Sequence, residues 1–274
     1  MKLLLTGPPG VGKTTLLLKL IPVLSNPIWI VSEEIKDNGR RRVGFSAKTS
    51  RGQTGVFAHK SEIDSSVRLG DYKVDIAAVD NLFTDSIKSA PSDNFIVIDE
   101  IGRMQMLSPK FHHAAQELFG KDVNVLATIR YGDEWTKEFT KRSDTITFTL
   151  TADNQDVVRE NIGFALAAVR ATDNLPLKQK AEVYKMAREY LANDHQTQIR
   201  KLFKNAIFYF AEGKVRQAPD GTYEVDGHHG THKVTRDNDG WTCDCDLFSS
   251  RGAYVGEAGE CSHVQAAKLS NITA

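Results

Sequence analysis

The sequence predicts an α/β protein: a mostly parallel sheet with helices on both faces and an inserted hairpin, followed by helices and a small β-rich module. Three observations lead there. Short apolar runs alternate with helix-period segments in the first part of the chain. A glycine-rich loop, GPPGVGKTT (7–15), separates the first run from the first helix. All three cysteines, Cys243, Cys245 and Cys261, lie near the end of the chain, with His263 two residues after the last.

KLLLT (2–6) is a short apolar run that stops at the glycine loop, and TTLLLKL (14–20) continues as a helix until Pro22. Further runs at PIWIVS (27–32), FIVID (95–99), VNVLATI (123–129) and TITFTL (145–150) read as strands. SPKFHHAAQELFG reads as the helix between the middle two of these. Residues 40–60 alternate apolar and polar positions around glycines, the pattern of an antiparallel hairpin inserted after the second strand. DVVRENIGFALAAVRA (156–171) predicts a closing helix and TDNLPL (172–177) a linker. From 176 to 218 nine lysines and arginines face four acids, with apolar residues at 199, 202, 203, 206 and 210, so basic amphipathic helices are expected. Turns at APDG (218–221) and RDNDG (236–240) then divide short strands. The expected domains are 1–171, 172–213 and 214–274.

Gly7-x4-Gly12-Lys13-Thr14 has the spacing of a P-loop, or Walker A, phosphate cradle, and a strand before it and a helix after it supply the context that cradle needs. Backbone N–H groups of Gly7, Pro8, Pro9, Gly10, Val11, Gly12, Lys13, Thr14 and Thr15, prolines excepted, can wrap phosphate oxygens. Lys13 is expected to reach the β- and γ-phosphates, and the Thr14 hydroxyl to ligate Mg²⁺. FIVIDE (95–100) supplies the second element: Asp99 ends a buried strand where it can hold the Mg²⁺ shell, and Glu100 can polarise an attacking water. Two acids in that order favour hydrolysis over transfer to a bound acceptor.

Lysine plus arginine (35) equals aspartate plus glutamate (35), so bulk charge gives no sign of a nucleic-acid or membrane partner. MKLLLTG is too short for the apolar core of a signal peptide, and no stretch approaches a membrane span. An odd number of clustered cysteines suits metal ligation in a reducing cytoplasm better than disulfides. The expected location is therefore cytoplasmic.

The first part of the chain resembles the THEP-type nucleoside triphosphatases, small P-loop enzymes with a RecA-like core. Beyond the loop, SEEIKDNGRRRVGF (32–45), GVFA (55–58), YKV (72–74), DEIGRM (99–104), SPKF (108–111) and LATI (126–129) follow that family's order and spacing over roughly residues 1–155. The resemblance implies slow hydrolysis of the terminal phosphate of ATP, GTP and other nucleoside triphosphates with Mg²⁺. Two departures stand out: the family's acid after the DEIG stretch is Gln105, and its N-R-D is Asn154-Gln155-Asp156. Glutamine cannot act as a base, which leaves Glu100 as the candidate for water activation. Arg41, Arg42, Arg103 and Arg130 are the candidates for stabilising charge on phosphate, whereas His112 and His113 read as surface or packing residues.

Cys243-x-Cys245-x15-Cys261-x-His263 resembles a SWIM-type zinc finger over roughly residues 214–270, with Trp241 ahead and VQAA (264–267) behind. Three thiolates and an imidazole suffice for a closed tetrahedral Zn²⁺ site. The histidines of HHGTH (228–232) could compete as fourth ligand, but are expected to be exposed loop residues. The resemblance implies a DNA or protein partner through 176–274. Residues 219–263 hold nine acids against three lysines and arginines, so any nucleic acid is expected on the basic helices, at Lys178, Lys185, Arg188, Arg200, Lys201 and Lys204. A nucleotide or nucleoside kinase and a nucleotide-switched adaptor with little turnover are the alternative readings. RecA-like domains often complete their sites between subunits, so an oligomer is compatible with the sequence.

Overall fold

A computed structural model describes the chain except at residues 92–93, 131, 173–174, 176, 193–196, 239, 252–259 and 274; at 177–179, 182, 189–190, 192, 197–200, 250–251 and 273 it describes the backbone only. The chain divides into two compact units, Met1–Arg159 and Glu160–Ala274.

The first unit is built on a nine-stranded sheet. β1 (Lys2–Thr6) leads through the glycine loop into α1 (Lys13–Leu20), and β2 (Pro27–Lys36) follows. β3 (Arg42–Thr49) and β4 (Thr54–His59) form the expected hairpin. β3 pairs antiparallel with β2, so the hairpin extends the main sheet. β5 (Arg68–Leu69) and β6 (Tyr72–Val74) continue it. A helical stretch comes next, from α2 (Ile76–Val79) through a π turn (Asp80–Thr84) to α3 (Asp85–Lys88), started by Asp75, whose carboxylate accepts from the Ala78 amide. β7 (Phe95–Ile101), α4 (Pro109–Gly120), β8 (Asn124–Ile129), the short α5 (Lys137–Thr140), β9 (Thr145–Thr149) and α6 (Gln155–Ala171) complete the order. The sheet runs β5-β6-β4-β3-β2-β7-β8-β1-β9, and β2, β7, β8, β1 and β9 are parallel.

Those parallel strands read as unbroken apolar runs because helices cover both faces. Leu3, Leu4, Val97, Ile98, Leu126 and Ala127 are wholly buried. Phe57, Phe83 and Phe111 meet edge to face, with ring centroids 5.4 and 5.7 Å apart, and lock β4, the π turn and α4 into one core. Lys2 is also buried, and its Nζ donates to the carbonyls of Lys121 and Val123 at 2.7 and 2.6 Å. Burial pushes this ammonium's pKa down, and Asp144 opposes the shift.

The second unit contains the rest of α6 together with α7 (Leu177–Ala192), α8 (Thr197–Ala211) and a four-stranded antiparallel sheet. That sheet is β10 (Val215–Gln217), β11 (Tyr223–Gly227), β12 (Gly230–Asp237) and β13 (Gly240–Cys243), followed by α9 (Asp246–Arg251) and α10 (Ser262–Thr273). In α8 the helical spacing read from sequence points inward: Phe203 and Ala206 are buried, and Lys201 and Lys204 are exposed. Lys185 is exposed and Arg188 partly buried, whereas the side chains of Lys178, Ile199 and Arg200 and most of the expected linker lie outside the described residues. Among the described residues no helix is long and apolar enough to cross a membrane.

Candidate functional site

β1 delivers the chain to the glycine loop at the carboxyl end of the parallel strands, the edge where open α/β sheets bind ligands. Gly7 has φ 148°, and a Cβ there would run into the Leu150 carbonyl, so the loop can pass the strand end only with glycine. Gly12, in the left-handed conformation, then starts α1. The first amides of a helix have no partner within it, and in α1 they follow directly on the loop. Lys13 Nζ donates to the Gly7 and Pro8 carbonyls at 2.9 and 3.0 Å, so the cation lies across the cradle.

β7 lies two strands from β1 and ends beneath the loop. Thr14 Oγ1 donates to Asp99 Oδ2 at 2.7 Å, and Thr128 Oγ1, from β8, donates to Asp99 Oδ1 at 2.5 Å. Ser32, from β2, donates to the Asp99 carbonyl. Asp99 is thus buried and fixed by three neighbouring elements. Burial raises its pKa, while the two threonine hydroxyls and Lys13 pull it back. A hydroxyl and a carboxylate oxygen at this separation are hard donors on one side of an open site. That set suits Mg²⁺, which keeps most of its waters and takes few protein ligands.

Glu100 follows at the strand end. Burial, then the Asp99 charge, push its pKa up; Lys13 and Arg130 oppose the shift. Its carboxylate crowds Gly102, where a Cβ would clash with both Glu100 Oε1 and Gln105 Oε1. Gln105 is buried against this same glycine, so the amide that replaces the family's acid sits close to Glu100.

The four candidate arginines separate into two kinds. Arg41 and Arg42 pair with Asp37 and Glu34 at the exposed end of the β2–β3 hairpin. Arg103 and Arg130 converge on one buried carboxylate, Asp133. Arg103 donates to it through Nε and Nη2 at 2.9 and 2.5 Å, Arg130 Nε lies 3.3 Å from it, and Trp135 Nε1 donates at 3.2 Å. The chain order of these residues gave no sign of this clasp, because Asp133 is thirty positions from Arg103. His112 is half-buried and His113 exposed, and they pair with Glu138 and Glu117. Gln155 Nε2 donates to the Val11 carbonyl at 3.1 Å, tying α6 to the loop.

In the second unit the Sγ atoms of Cys243, Cys245 and Cys261 and a ring nitrogen of His263 all lie within 4.8 Å of one another. β13 presents Cys243, the turn into α9 presents Cys245, and the start of α10 presents Cys261 and His263. His263 Nδ1 is 3.8 Å from both Cys243 Sγ and Cys261 Sγ. A tetrahedron with Zn–S bonds of 2.3 Å has edges of roughly 3.8 Å, so the donor set fits Zn²⁺ in type, number and spacing. The cysteines are buried in the unit's own core beside Val225, Val234 and Val264. Hydrogen bonds, first from Cys243, draw the Cys261 thiol down to about 4, whereas burial holds Cys245 up.

His232 departs from the expected exposed loop. It lies on β12 opposite Val225 and stacks on the His263 ring at 4.2 Å, with its Nδ1 3.2 Å from Asp244. Tyr209 covers His263 from α8, with centroids 5.6 Å apart. The Cys243, Cys261 and His263 atoms are already mutually close, so His232 acts as a wall of the ligand cluster. His228 and His229 are exposed, as expected.

The sequence model of a family described as NTPase matches residues 2–163. The nucleoside-triphosphatase THEP1 of Thermotoga petrophila is 34% identical over 176 residues, which is 64% of this chain and 97% of that protein. The one from Methanocaldococcus jannaschii is 34% identical over 168 residues, 59% of this chain and 95% of that protein. Among solved structures, THEP1 from Aquifex aeolicus aligns with a TM-score of 0.53 at 32% identity, over 59% of this chain and 96% of that one. A human cancer-related nucleoside triphosphatase aligns at 0.51 and 28%, over 59% and 95%. Cradle, strand-end acids and near-complete coverage of these relatives agree, and the chain belongs to the THEP1-type nucleoside-triphosphatase family, with an NTPase enzyme as its first unit.

Proposed function

We propose that this chain hydrolyses the terminal phosphate of ATP or GTP with Mg²⁺, and that its second unit is a zinc-held module that recognises DNA or a protein. The observation that carries the first part is the Thr14–Asp99 contact at 2.7 Å beneath the loop, with Glu100 as the next residue. The loop amides of 7–15 and Lys13 hold the phosphates. Thr14 and Asp99 would hold Mg²⁺, which when bound neutralises phosphate charge as it develops. Glu100 orients a water and accepts its proton, and its raised pKa makes it a stronger base than an ordinary carboxylate once ionised. Arg130 and Arg103, fixed by Asp133, are suited to stabilise charge on the leaving phosphates. An acidic pair at the strand end favours water over an acceptor substrate, which argues against a kinase.

For the second unit, the donor set Cys243, Cys245, Cys261 and His263 supports a closed structural Zn²⁺ site, in keeping with the SWIM resemblance. Lys201 and Lys204 are exposed on α8, so a nucleic-acid partner would engage this helix before the acidic sheet. The assignment of 1–171 to the enzyme, 172–213 to basic helices and 214–274 to the zinc module follows, in a cytoplasmic protein.

The test is phosphate release from ATP and GTP with Mg²⁺ by the intact protein, Lys13→Ala and Glu100→Gln, each with and without single- and double-stranded DNA. Loss in both variants supports the hydrolase, and stimulation by DNA supports the recognition role. Nucleotide binding without release by the intact protein would overturn the hydrolytic mechanism.

A further inference from the structure

Near the end of α8, in the second unit, two adjacent rings divide between core and surface. Tyr209 is buried and covers His263. Phe208 is 41% exposed, and among the described residues it is the one large apolar side chain of this unit left at the surface. The His228 ring, from the turn between β11 and β12, lies nearly parallel to it, at 14° with centroids 6.1 Å apart. Lys214 Nζ sits over the Phe208 ring, 4.6 Å from its centroid. The His228 amide donates to the Tyr209 hydroxyl at 3.3 Å, so the outer rings are tied to the residue that covers the ligand cluster.

Lys204 and Lys201 precede Phe208 by four and seven residues, which places both on its face of the helix, about 6 and 10 Å along the axis. Both are exposed, and among the described residues neither has an acidic partner. The cations of the sheet, by contrast, are neutralised locally: Arg216 pairs with Asp226 at 2.6 Å and Lys233 with Asp220 at 3.3 Å. α8 contains no acid, and the nearest in sequence is Glu212, just past its end.

A surface for an apolar protein or lipid partner gathers apolar side chains, whereas here a single ring stands among cations. From this arrangement we infer that the face of α8 bearing Lys201, Lys204 and Phe208 binds single-stranded nucleic acid. One base stacks on the Phe208 and His228 rings, and the two lysines meet neighbouring phosphates. The inference rests on the reading of the second unit as a recognition module and narrows its partner. Every base has a π-face, so stacking accepts any sequence, but it needs a base that is free of a duplex. A duplex keeps its bases stacked inside and offers the lysines only phosphates, which leaves Phe208 without a partner.

The experiment is fluorescence anisotropy of labelled oligo(dT), oligo(U) and a DNA duplex, each of about 12 nucleotides per strand, with the full chain in buffer containing Zn²⁺. Both single strands are expected to bind, and more tightly than the duplex. Phe208→Ala should weaken single-strand binding about tenfold and leave its salt dependence unchanged. Phe208→Leu should do the same, because leucine is apolar without a π-face, and Phe208→Tyr should retain the parent affinity. The double variant Lys201→Ala, Lys204→Ala should reduce the slope of log K against log salt by about 1.4, two phosphates at about 0.7 each. The Phe208 variants change a surface residue, so their thermal melting should match that of the parent. Tighter binding of the duplex, undiminished affinity in Phe208→Ala, or parent-like affinity in Phe208→Leu would overturn the inference and leave the DNA reading of the module in place. No binding of any strand would overturn both and leave a protein as the partner.

Discussion

The two units use chemically active residues in opposite ways. In the first, the core cluster holds no candidate site side chain: Phe57, Phe83, Phe111 and the parallel strands pack by themselves, and Lys13, Asp99 and Glu100 stand at the strand ends and loop along its edge. In the second, Cys243, Cys245 and Cys261 are themselves members of the core cluster, under the ring of His263. A rim site can be altered without loss of the fold. A site that forms the core cannot, and a small module with few apolar residues depends on it.

The sharpest way to break this contrast is to remove the metal. Structural Zn²⁺ contributes apparent folding free energies of about 10 kcal/mol or more, far above what the remaining apolar residues of so small a module supply. Chelation, or Cys261→Ser, should expose 214–274 to protease while Mg²⁺-dependent phosphate release, measured after Mg²⁺ is restored, is retained. An uncleaved tail in chelator would remove the comparison. The converse substitution, Lys13→Ala, should lower phosphate release by about a thousandfold and leave the protease pattern of both units unchanged. A lowered melting temperature comparable to that of a core deletion would show that the rim also supports the fold.

Arg130 sharpens the comparison within the first unit, since its charge acts on Glu100 and it is held by a buried anchor, Asp133. Arg130→Ala should lower kcat by about a hundredfold with little change in KM, the mark of contact with the transition state alone. Arg130 also holds down the pKa of Glu100, so its removal should move the acid limb of the pH profile to higher pH. An unmoved limb, read from kcat between pH 4 and 8, would separate the arginine from the base.

Much of the first unit was legible in its sequence, because parallel strands buried on both faces leave long apolar runs and the phosphate loop is contiguous. FIVID and KLLLT lie within β7 and β1 as observed, and the helix expected at 156–171 begins one residue earlier. The stretch from Ile76 to Lys88 was not legible, because its π turn breaks the regular helical period that would have marked it. Asp133 was also invisible. Its neighbours Arg130 and Trp135 are local, but the clasp is completed by Arg103 from thirty positions away, and nothing in GDEW distinguishes a buried clasp from a surface turn. His232 was misread for the same reason: HHGTH suggests a loop, but the β11–β12 register turns its last residue onto His263.

The smallest predicted effect tests whether the rim site is a burden on the fold beneath it. Glu100 has its pKa raised in the folded chain, chiefly by burial. Its contribution to stability is therefore complete below the unfolded pKa and is lost as pH rises through the folded one, where a buried charge must be carried. On the proposed mechanism the enzyme holds that charge at neutral pH. Glu100→Gln keeps the shape and stays neutral, so it should stabilise the first unit at pH 7.5 by about 1 kcal/mol while abolishing turnover. Urea unfolding in a Trp241→Phe background, followed by the fluorescence of Trp29 and Trp135, reads this unit alone. The gain should shrink as pH falls toward 4, where the parent's carboxyl is protonated as well. A gain independent of pH would mean that packing around Gly102 and Gln105, rather than charge, is what the glutamate strains.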